Sequence, residues 1–247
     1  MAIKSSKSLT LIIPIYNEEL LVKTSIEECL RKLNEDFDDF ELIIVDDGSR
    51  DQTANIIREN FSNVSNLILC PNYINLNQGV SIQRALAIAK KDYVVHNGID
   101  LPLDIKDLRF FLEESDDFDL LVLQRKEYEG ASKWRILTSN VNIIIRKILF
   151  PELTRGIRDM NYTQIYKRNI LSKIMPLAKS PAFTTPEMIM RARLLKLKVQ
   201  IRENKFHARN EGTSSLGKLH DILWTIYDMI RFKNLIWMGL EKHGRVK

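Results

Sequence analysis

Short apolar runs rich in leucine and β-branched residues alternate, through the first half of this chain, with longer segments whose apolar residues recur at helical spacing. The runs are Leu9 to Tyr16, Phe40 to Asp46, Asn66 to Cys70, Tyr93 to His96 and Leu120 to Gln124. Between them lie helical patterns such as Leu20 to Leu33, Gln52 to Phe61 and Val80 to Ala89. This alternation predicts βαβ units and a parallel sheet, because a parallel neighbour needs a crossover to bring the chain back. In such a sheet, ligand chemistry gathers outside the carboxyl ends of the strands. The second half reads as helices over Ser132 to Phe150 and Thr185 to Lys196, then a strand-like alternation over Lys198 to Arg209. Thr184-Thr185-Pro186-Glu187 has capping-box spacing and a proline suited to a first turn, so it is expected to open the second helix. Leu216 to Gly239 is amphipathic, with Leu219, Leu223, Ile226, Ile230 and Trp237 near one stripe.

The 247 residues, 45% hydrophobic, suffice for a substantial core in one large or two small domains. A net charge of +5 and a pI near 9.1 suit an anionic partner. The basic residues are scattered, and neither aromatic interleaving nor a helix-turn-helix pattern supports nucleic-acid binding. Cys29 and Cys70 stand alone, which argues for a reduced compartment and buried, inert thiols. No uninterrupted apolar stretch reaches the ~18 residues of a membrane span, and Met1 to Ser8 lacks a signal-peptide core, so a cytoplasmic location is expected.

Two strings stand at neighbouring strand ends. In Pro14-Ile15-Tyr16-Asn17-Glu18, proline keeps the backbone from extending the ladder, so Tyr16 and Glu18 protrude. An aromatic there can cover a base or ribose, and a carboxylate can accept hydroxyl hydrogen bonds. The plain alternative is a turn in which Glu18 opens a helix. In Val45-Asp46-Asp47-Gly48-Ser49-Arg50-Asp51-Gln52-Thr53, Asp46 and Asp47 can hold ribose hydroxyls or a ring nitrogen, while Gly48 permits the turn. Ser49, Asp51 and Thr53 read as turn and helix-cap residues.

Together these strings resemble the nucleotide-sugar half of family 2 glycosyltransferases of the GT-A fold. The resemblance implies an α/β, Rossmann-like, mostly parallel sheet flanked by helices over residues 1–212, with a nucleotide-binding half to residue 100 and an acceptor half beyond. Residues 213–247 follow as an amphipathic helical tail. The order then continues as in the family: Asn77-Gln78-Gly79, a helix, a strand, and Asn97-Gly98-Ile99-Asp100 where the family carries Asp-x-Asp. That motif holds a divalent ion, Mg²⁺ or Mn²⁺, against the pyrophosphate, whose charge grows as the sugar leaves. Here Gly98 replaces the first aspartate, leaving Asp100 as the metal residue, and Pro102 stands where some branches have a polar ligand. Asp104 reads as a helix N-cap.

The second half resembles the dolichyl- or polyprenyl-phosphate sugar synthases through Gln124-Arg125, Gly130, Trp134-Arg135, Asn142 and Arg146, and through His207, Arg209, Gly212 and Ser214. The resemblance implies that Arg125 and Arg135 clamp an acceptor phosphate, with Asp159 and then Glu187 as candidate bases. It also places Pro14, Tyr16, Glu18, Asp46, Asp47, Gly79, Asp100 and Arg209 around the nucleotide sugar. A lipid phosphate arrives anionic and needs no base, so the arginines tilt the choice toward a polyprenyl-phosphate acceptor, with inverting transfer and no covalent intermediate. A glycan hydroxyl acceptor, or a noncatalytic nucleotide-sugar-binding protein motivated by Gly98, are the alternatives. Residues 216–240 are suited to peripheral contact with the inner face of a membrane, to packing on their own domain, or to a homo-oligomer.

Overall fold

The structure, a computed structural model, describes residues 4–115, 117–125, 133–204 and 219–239, with side chains for all of these except 133–138 and 219. The first half runs β1 (Leu9–Ile15), α1 (Val22–Asp36), β2 (Phe40–Asp46), α2 (Thr53–Phe61), β3 (Leu67–Pro71), α3 (Gln78–Ile88), β4 (Tyr93–His96), α4 (Ile105–Glu114) and β5 (Leu120–Arg125). The second half adds α5 (Lys133–Leu149), the single turn α6 (Pro151–Thr154), β6 (Thr163–Lys167), the single turn α7 (Leu171–Ile174), α8 (Pro181–Leu194), β7 (Val199–Asn204) and α9 (Leu219–Trp237).

The strands form one seven-stranded sheet in the order β3-β2-β1-β4-β6-β5-β7. All pairings are parallel except those of β6, which runs antiparallel to both β4 and β5. The mostly parallel sheet is the one expected, but β6 was not read from sequence. Its Thr163-Gln164 start looks like loop, yet both residues are buried, and Gln164 Nε2 donates to the Met160 carbonyl at 3.0 Å.

The chain turns from β3 back across the sheet to β4, so the order reverses between β1 and β4. Pro14 sits beside that reversal. The Ile15 carbonyl accepts from Asp47 on the β2 side, and the Ile12 carbonyl accepts from Asn97 on the β4 side. Alternation therefore turns the donorless nitrogen of Pro14 toward the β4 flank, beyond the last pair, Ile12 with His96. Proline lies inside β1 rather than after it, and it closes the ladder on one flank only.

Layered packing follows from strand alternation. Leu9, Leu11, Ile13 and Ile15 face a core built with Ile26, Cys29 and Leu33 of α1, Ile57 of α2 and Leu108 of α4. Ile12, Ile43, Val94 and Val122 face the opposite core, against α3, α7 and α8. Burial pushes the Cys29 thiol up to about 12, consistent with an inert core thiol.

Two helix expectations change. α8 starts at Pro181, with Ser180 as N-cap, so Thr184-Thr185-Pro186-Glu187 lies within the helix and is not its capping box. Pro181 fills the first-turn role assigned to Pro186. An internal proline costs about 3 kcal/mol in an exposed helix; here Phe183 to Ala192 are all buried, and that burial offsets it. α9 forms within the expected tail, but the face that packs carries Thr225, Asp228, Met229 and Phe232 rather than the predicted Leu223, Ile230 and Trp237, which are exposed. Phe232 meets Phe150 and Phe183 in a cluster of rings 5.6–6.1 Å apart.

Asp228 is the polar anchor of that contact. Its Oδ2 accepts from the backbone N–H groups of Lys179 at 3.0 Å and Ser180 at 2.9 Å, capping the start of α8 from a distant helix. Asp228→Ala should cost about 2 kcal/mol, read as a fall of about 4–8 °C in Tm; an unchanged melt would refute the anchor. Burial also holds the His96 imidazole down at about 4, and its Nδ1 has no partner among the described residues. The unfolded chain takes up this proton near about 6.5, so stability should fall as pH drops from there toward 4. Urea titrations across that range should show a shallower slope for His96→Gln.

Candidate active site

The carboxyl ends of β1, β2 and β4 meet at the strand-order reversal, and the loops leaving them are tied together by side chains. The Asn17 N–H donates to Ser49 Oγ at 2.9 Å, and Arg50 N–H returns to Asn17 Oδ1 at 2.9 Å. One step further, Glu18 N–H donates to Thr53 Oγ1 at 2.9 Å and Gln52 N–H to Glu19 Oε2 at 3.0 Å. Asn17 adopts φ +54°, a turn geometry that asparagine tolerates. Ser49 and Thr53 therefore act as loop fasteners, and Asp51 Oδ1 holds the Thr53 N–H at 3.0 Å. Glu18 stands before α1, whose first turn carries no acid, so it does not serve as the helix-opening charge. Tyr16 protrudes at this rim.

Asp46 ends β2, buried, with Oδ1 accepting the Ser49 N–H at 3.0 Å. Asp47 turns inward. Its Oδ1 accepts from Asn72 Nδ2, the Leu76 N–H and Ser81 Oγ, each at 2.8 Å, and so binds the loop after β3 and the start of α3 to the end of β2. Gly48 sits between these carboxylates at φ +74°, and a Cβ there would lie 2.5 Å from the Ile74 carbonyl carbon. Only glycine allows both the turn and that approach.

Gly79 does not open onto the crevice. A Cβ on it would meet Thr184 Oγ1 at 2.5 Å and the Lys179 carbonyl at 2.8 Å, so its bareness serves the close packing of α3 on the start of α8. The expectation that it touches the nucleotide is corrected accordingly. Asn77, at φ +70°, caps α3 through Oδ1, which accepts from Gly79 at 3.0 Å.

After β4, buried Asn97 holds the next turn, donating to the Leu103 carbonyl at 2.7 Å and accepting from Gly98 at 3.1 Å. The exposed Asp100 lies in that turn, and a Cβ on Gly98 would fall 2.5 Å from Asp100 Oδ1. A side chain at position 98 would require the Asp100 carboxylate to turn aside. Asp104 caps α4, its Oδ1 accepting from Lys106 N–H at 2.9 Å.

Arg125 and Asp159, given separate roles by the sequence, form one ion pair at 2.6 Å, with side chains 15% and 4% exposed. Asp159 Oδ1 also accepts the Asn161 N–H at 3.0 Å. The Arg125 guanidinium lies 5.5 Å from the centre of the Tyr162 ring. Tyr162 was not singled out by sequence, although an aromatic just before a buried strand and just after Asp159 was the available signal. Its hydroxyl donates to the Pro102 carbonyl at 3.0 Å, joining the Arg125 cluster to the Asp100 turn, and burial pushes it up to about 12.

Glu187 is removed from the site. It is 1% exposed; Oε1 accepts from the Leu177 N–H and from Arg191 Nε and Nη2, and Oε2 from the Ala178 N–H, at 2.7–2.9 Å. A carboxylate so enclosed cannot reach an acceptor, and its catalytic expectation is corrected. Arg135 lies in α5 with its side chain outside the described residues, and Gly130, His207, Arg209, Gly212 and Ser214 lie outside them altogether. A cavity of about 530 Å³ lined by Gln124, Arg155, Arg158 and Glu203 opens near the ends of β5 and β7. Alternation along β5 puts Gln124 on the opposite face of the sheet from Arg125.

Among the described residues no group of three His, Cys, Asp or Glu side chains could hold a metal ion by itself. Asp100 is exposed in the turn after β4, and it fits a hard cation only in company with substrate phosphate oxygens and water.

Residues 10–179 match the model of glycosyl transferase family 2. An undecaprenyl-phosphate 4-deoxy-4-formamido-L-arabinose transferase of Pectobacterium atrosepticum is 23% identical over 228 residues, covering 91% of this chain and 67% of that protein. A dolichyl-phosphate beta-glucosyltransferase of Trichomonas vaginalis is 30% identical over 101 residues, 39% of this chain and 31% of its own length. The glucosyl-3-phosphoglycerate synthase of Mycobacterium tuberculosis, solved with Mn²⁺, UDP and phosphoglyceric acid, shares the fold. It superposes with a TM-score of 0.66 at 18% identity, over 92% of this chain and 78% of that one. The family match across most of the sheet, with the acidic loops gathered where the strand order reverses, makes this chain a member of glycosyl transferase family 2.

Proposed function

We propose that this glycosyltransferase moves a sugar, with inversion, from a nucleoside-diphosphate sugar to a polyprenyl phosphate. The observation that carries the acceptor choice is the Arg125–Asp159–Tyr162 cluster beside the Asp100 turn. Asp159, whose Oδ2 accepts from the Arg125 guanidinium and whose Oδ1 accepts from the Asn161 N–H, fixes the arginine in this reading rather than serving as the base for a proton transfer. A phosphate acceptor needs no such proton transfer. The names of the relatives, acting on undecaprenyl and dolichyl phosphates, support the same choice.

In this reading Asp46, Glu18 and Tyr16 flank the nucleoside, and Asp47 and Gly48 shape the wall behind it. The acceptor phosphate oxygen attacks the anomeric carbon in line as the bond to the diphosphate breaks, and the leaving nucleoside diphosphate keeps the electron pair. Arg125 orients the acceptor and balances its charge. A divalent cation, held by Asp100 with the donor's phosphates, would supply neutralisation of the leaving group.

Activity should appear with a UDP- or GDP-sugar and a short polyprenyl phosphate. Arg125→Ala should lower kcat/KM for the acceptor about 100-fold, with Arg125→Lys intermediate and donor affinity unchanged. If Asp159→Asn abolishes transfer while both Arg125 variants retain it, the acceptor is a hydroxyl and the reading fails. Titration of the protein with Mn²⁺, followed by electron paramagnetic resonance, should show binding only when UDP or GDP is also present. Asp100→Asn should weaken that joint binding about tenfold or more; tight Mn²⁺ binding without nucleotide would contradict the single-carboxylate site.

A further inference from the structure

The exposed faces of α5 and α9 are apolar where a folded domain's outer helices are ordinarily polar. On α5, Val141, Ile144 and Ile148 are exposed at spacings of three and four, Ile148 to 72%. On α9, Leu223, Tyr227, Ile230 and Trp237 make the matching stripe, Trp237 at 86%.

The two stripes adjoin. Ile145 and Leu149 of α5 pack against the cluster that holds Phe232, with Ile236 of α9 beside them, and Lys233 Nζ donates to the Leu149 carbonyl at 2.8 Å across the seam. Ile230 and Trp237 lie three before and four after Lys233, hence on the flank of α9 beside that seam. Val141 lies four before Ile145, and Ile148 three after it, on the corresponding flank of α5.

Charge identifies the occupant. α5 contains no acidic residue; α9 has two, of which Asp228 is buried as the cap of α8 and Asp221 is half-buried. The exposed ionic groups of the pair include Lys147, Arg231 and Lys233, and the sequence beyond α9 carries Lys242, Arg245 and Lys247 against Glu241. A second copy docked by a two-fold axis would set these cations against themselves, which disfavours a homodimer through this face. Aromatic and aliphatic side chains rimmed by lysine and arginine match an interfacial surface, and no helix among the described residues is long and apolar enough to cross a membrane.

We propose that α5 and α9 together form a docking face that seats the enzyme on an anionic bilayer. The inference rests on the polyprenyl-phosphate reading for its purpose, since that acceptor is anchored in lipid, while the binding itself is measured independently.

The full chain should co-sediment with vesicles of phosphatidylcholine and phosphatidylglycerol, less with phosphatidylcholine alone, and less as salt is raised. The triple variant Ile148→Glu, Ile230→Glu, Trp237→Glu should weaken that binding tenfold or more at unchanged Tm. It should still transfer sugar to a short, water-soluble prenyl phosphate. Absence of vesicle binding, equal binding by the triple variant, or a dimer in sedimentation velocity that the variant dissociates without any vesicle binding would each overturn the docking face. Vesicle binding by a protein that glycosylates no prenyl phosphate would leave the face standing and remove the proposed function instead.

Discussion

Four successive backbone N–H groups, Leu177 through Ser180, donate to two buried carboxylates, Glu187 of α8 and Asp228 of α9. Few arrangements concentrate so much on so short a segment. Stripping either acid would leave buried donors unpaired, each at a cost of about 1–3 kcal/mol. The same segment carries a longer chain of dependence: the Lys179 carbonyl lies under Gly79, the Ala178 carbonyl accepts from Gln83, and both contacts position the start of α3. Ser81, one turn into α3, then reaches Asp47 at the end of β2. A carboxylate in the last helix is thus connected, contact by contact, to the wall of the crevice at the end of β2.

A second dependence joins the two halves of the sheet. Antiparallel β6 brings Tyr162 to the mouth of the crevice, where it touches Arg125 on one side and the Pro102 carbonyl on the other. The Pro102 carbonyl is thereby occupied in holding the turn. The turn that carries Asp100 is held from below by Asn97 and from the side by Tyr162, which gives a lone carboxylate a fixed address even though its partner position is glycine.

What could be read from sequence were features with local causes. The strands of the first half emerge within a residue or so of their expected bounds, because their apolar runs and turn residues are contiguous in the chain. The acidic loops were legible for the same reason. The pairing of Arg125 with Asp159 was not, since 34 residues separate them and only the insertion of β6 makes them neighbours. Glu187 misled because an acid near a helix start reads as a cap; the true start lay four residues earlier, at Pro181, and the acid's partners were backbone groups ahead of the helix. α9 misled for a different reason. Its Leu, Ile and Trp stripe is the more apolar one, yet the domain takes the face with Asp228 and Phe232, because the N–H groups at the head of α8 need a buried acceptor.

That choice of face bears on how the enzyme handles charge. Burying Asp228 of α9 against α8 removes a negative group from the surface that faces outward beside α5, and leaves lysines and arginines to rim an apolar stripe. The crevice shows the same economy: Asp47 is turned to structural use, Asp159 is matched to Arg125, and Asp100 stands exposed in the turn after β4. In the proposed reaction, negative charge is then brought chiefly by the substrates, a diphosphate leaving group and an anionic acceptor. A protein built this way gains by holding its carboxylates in fixed pairs, because each unpaired acid near the crevice would repel both substrates at once.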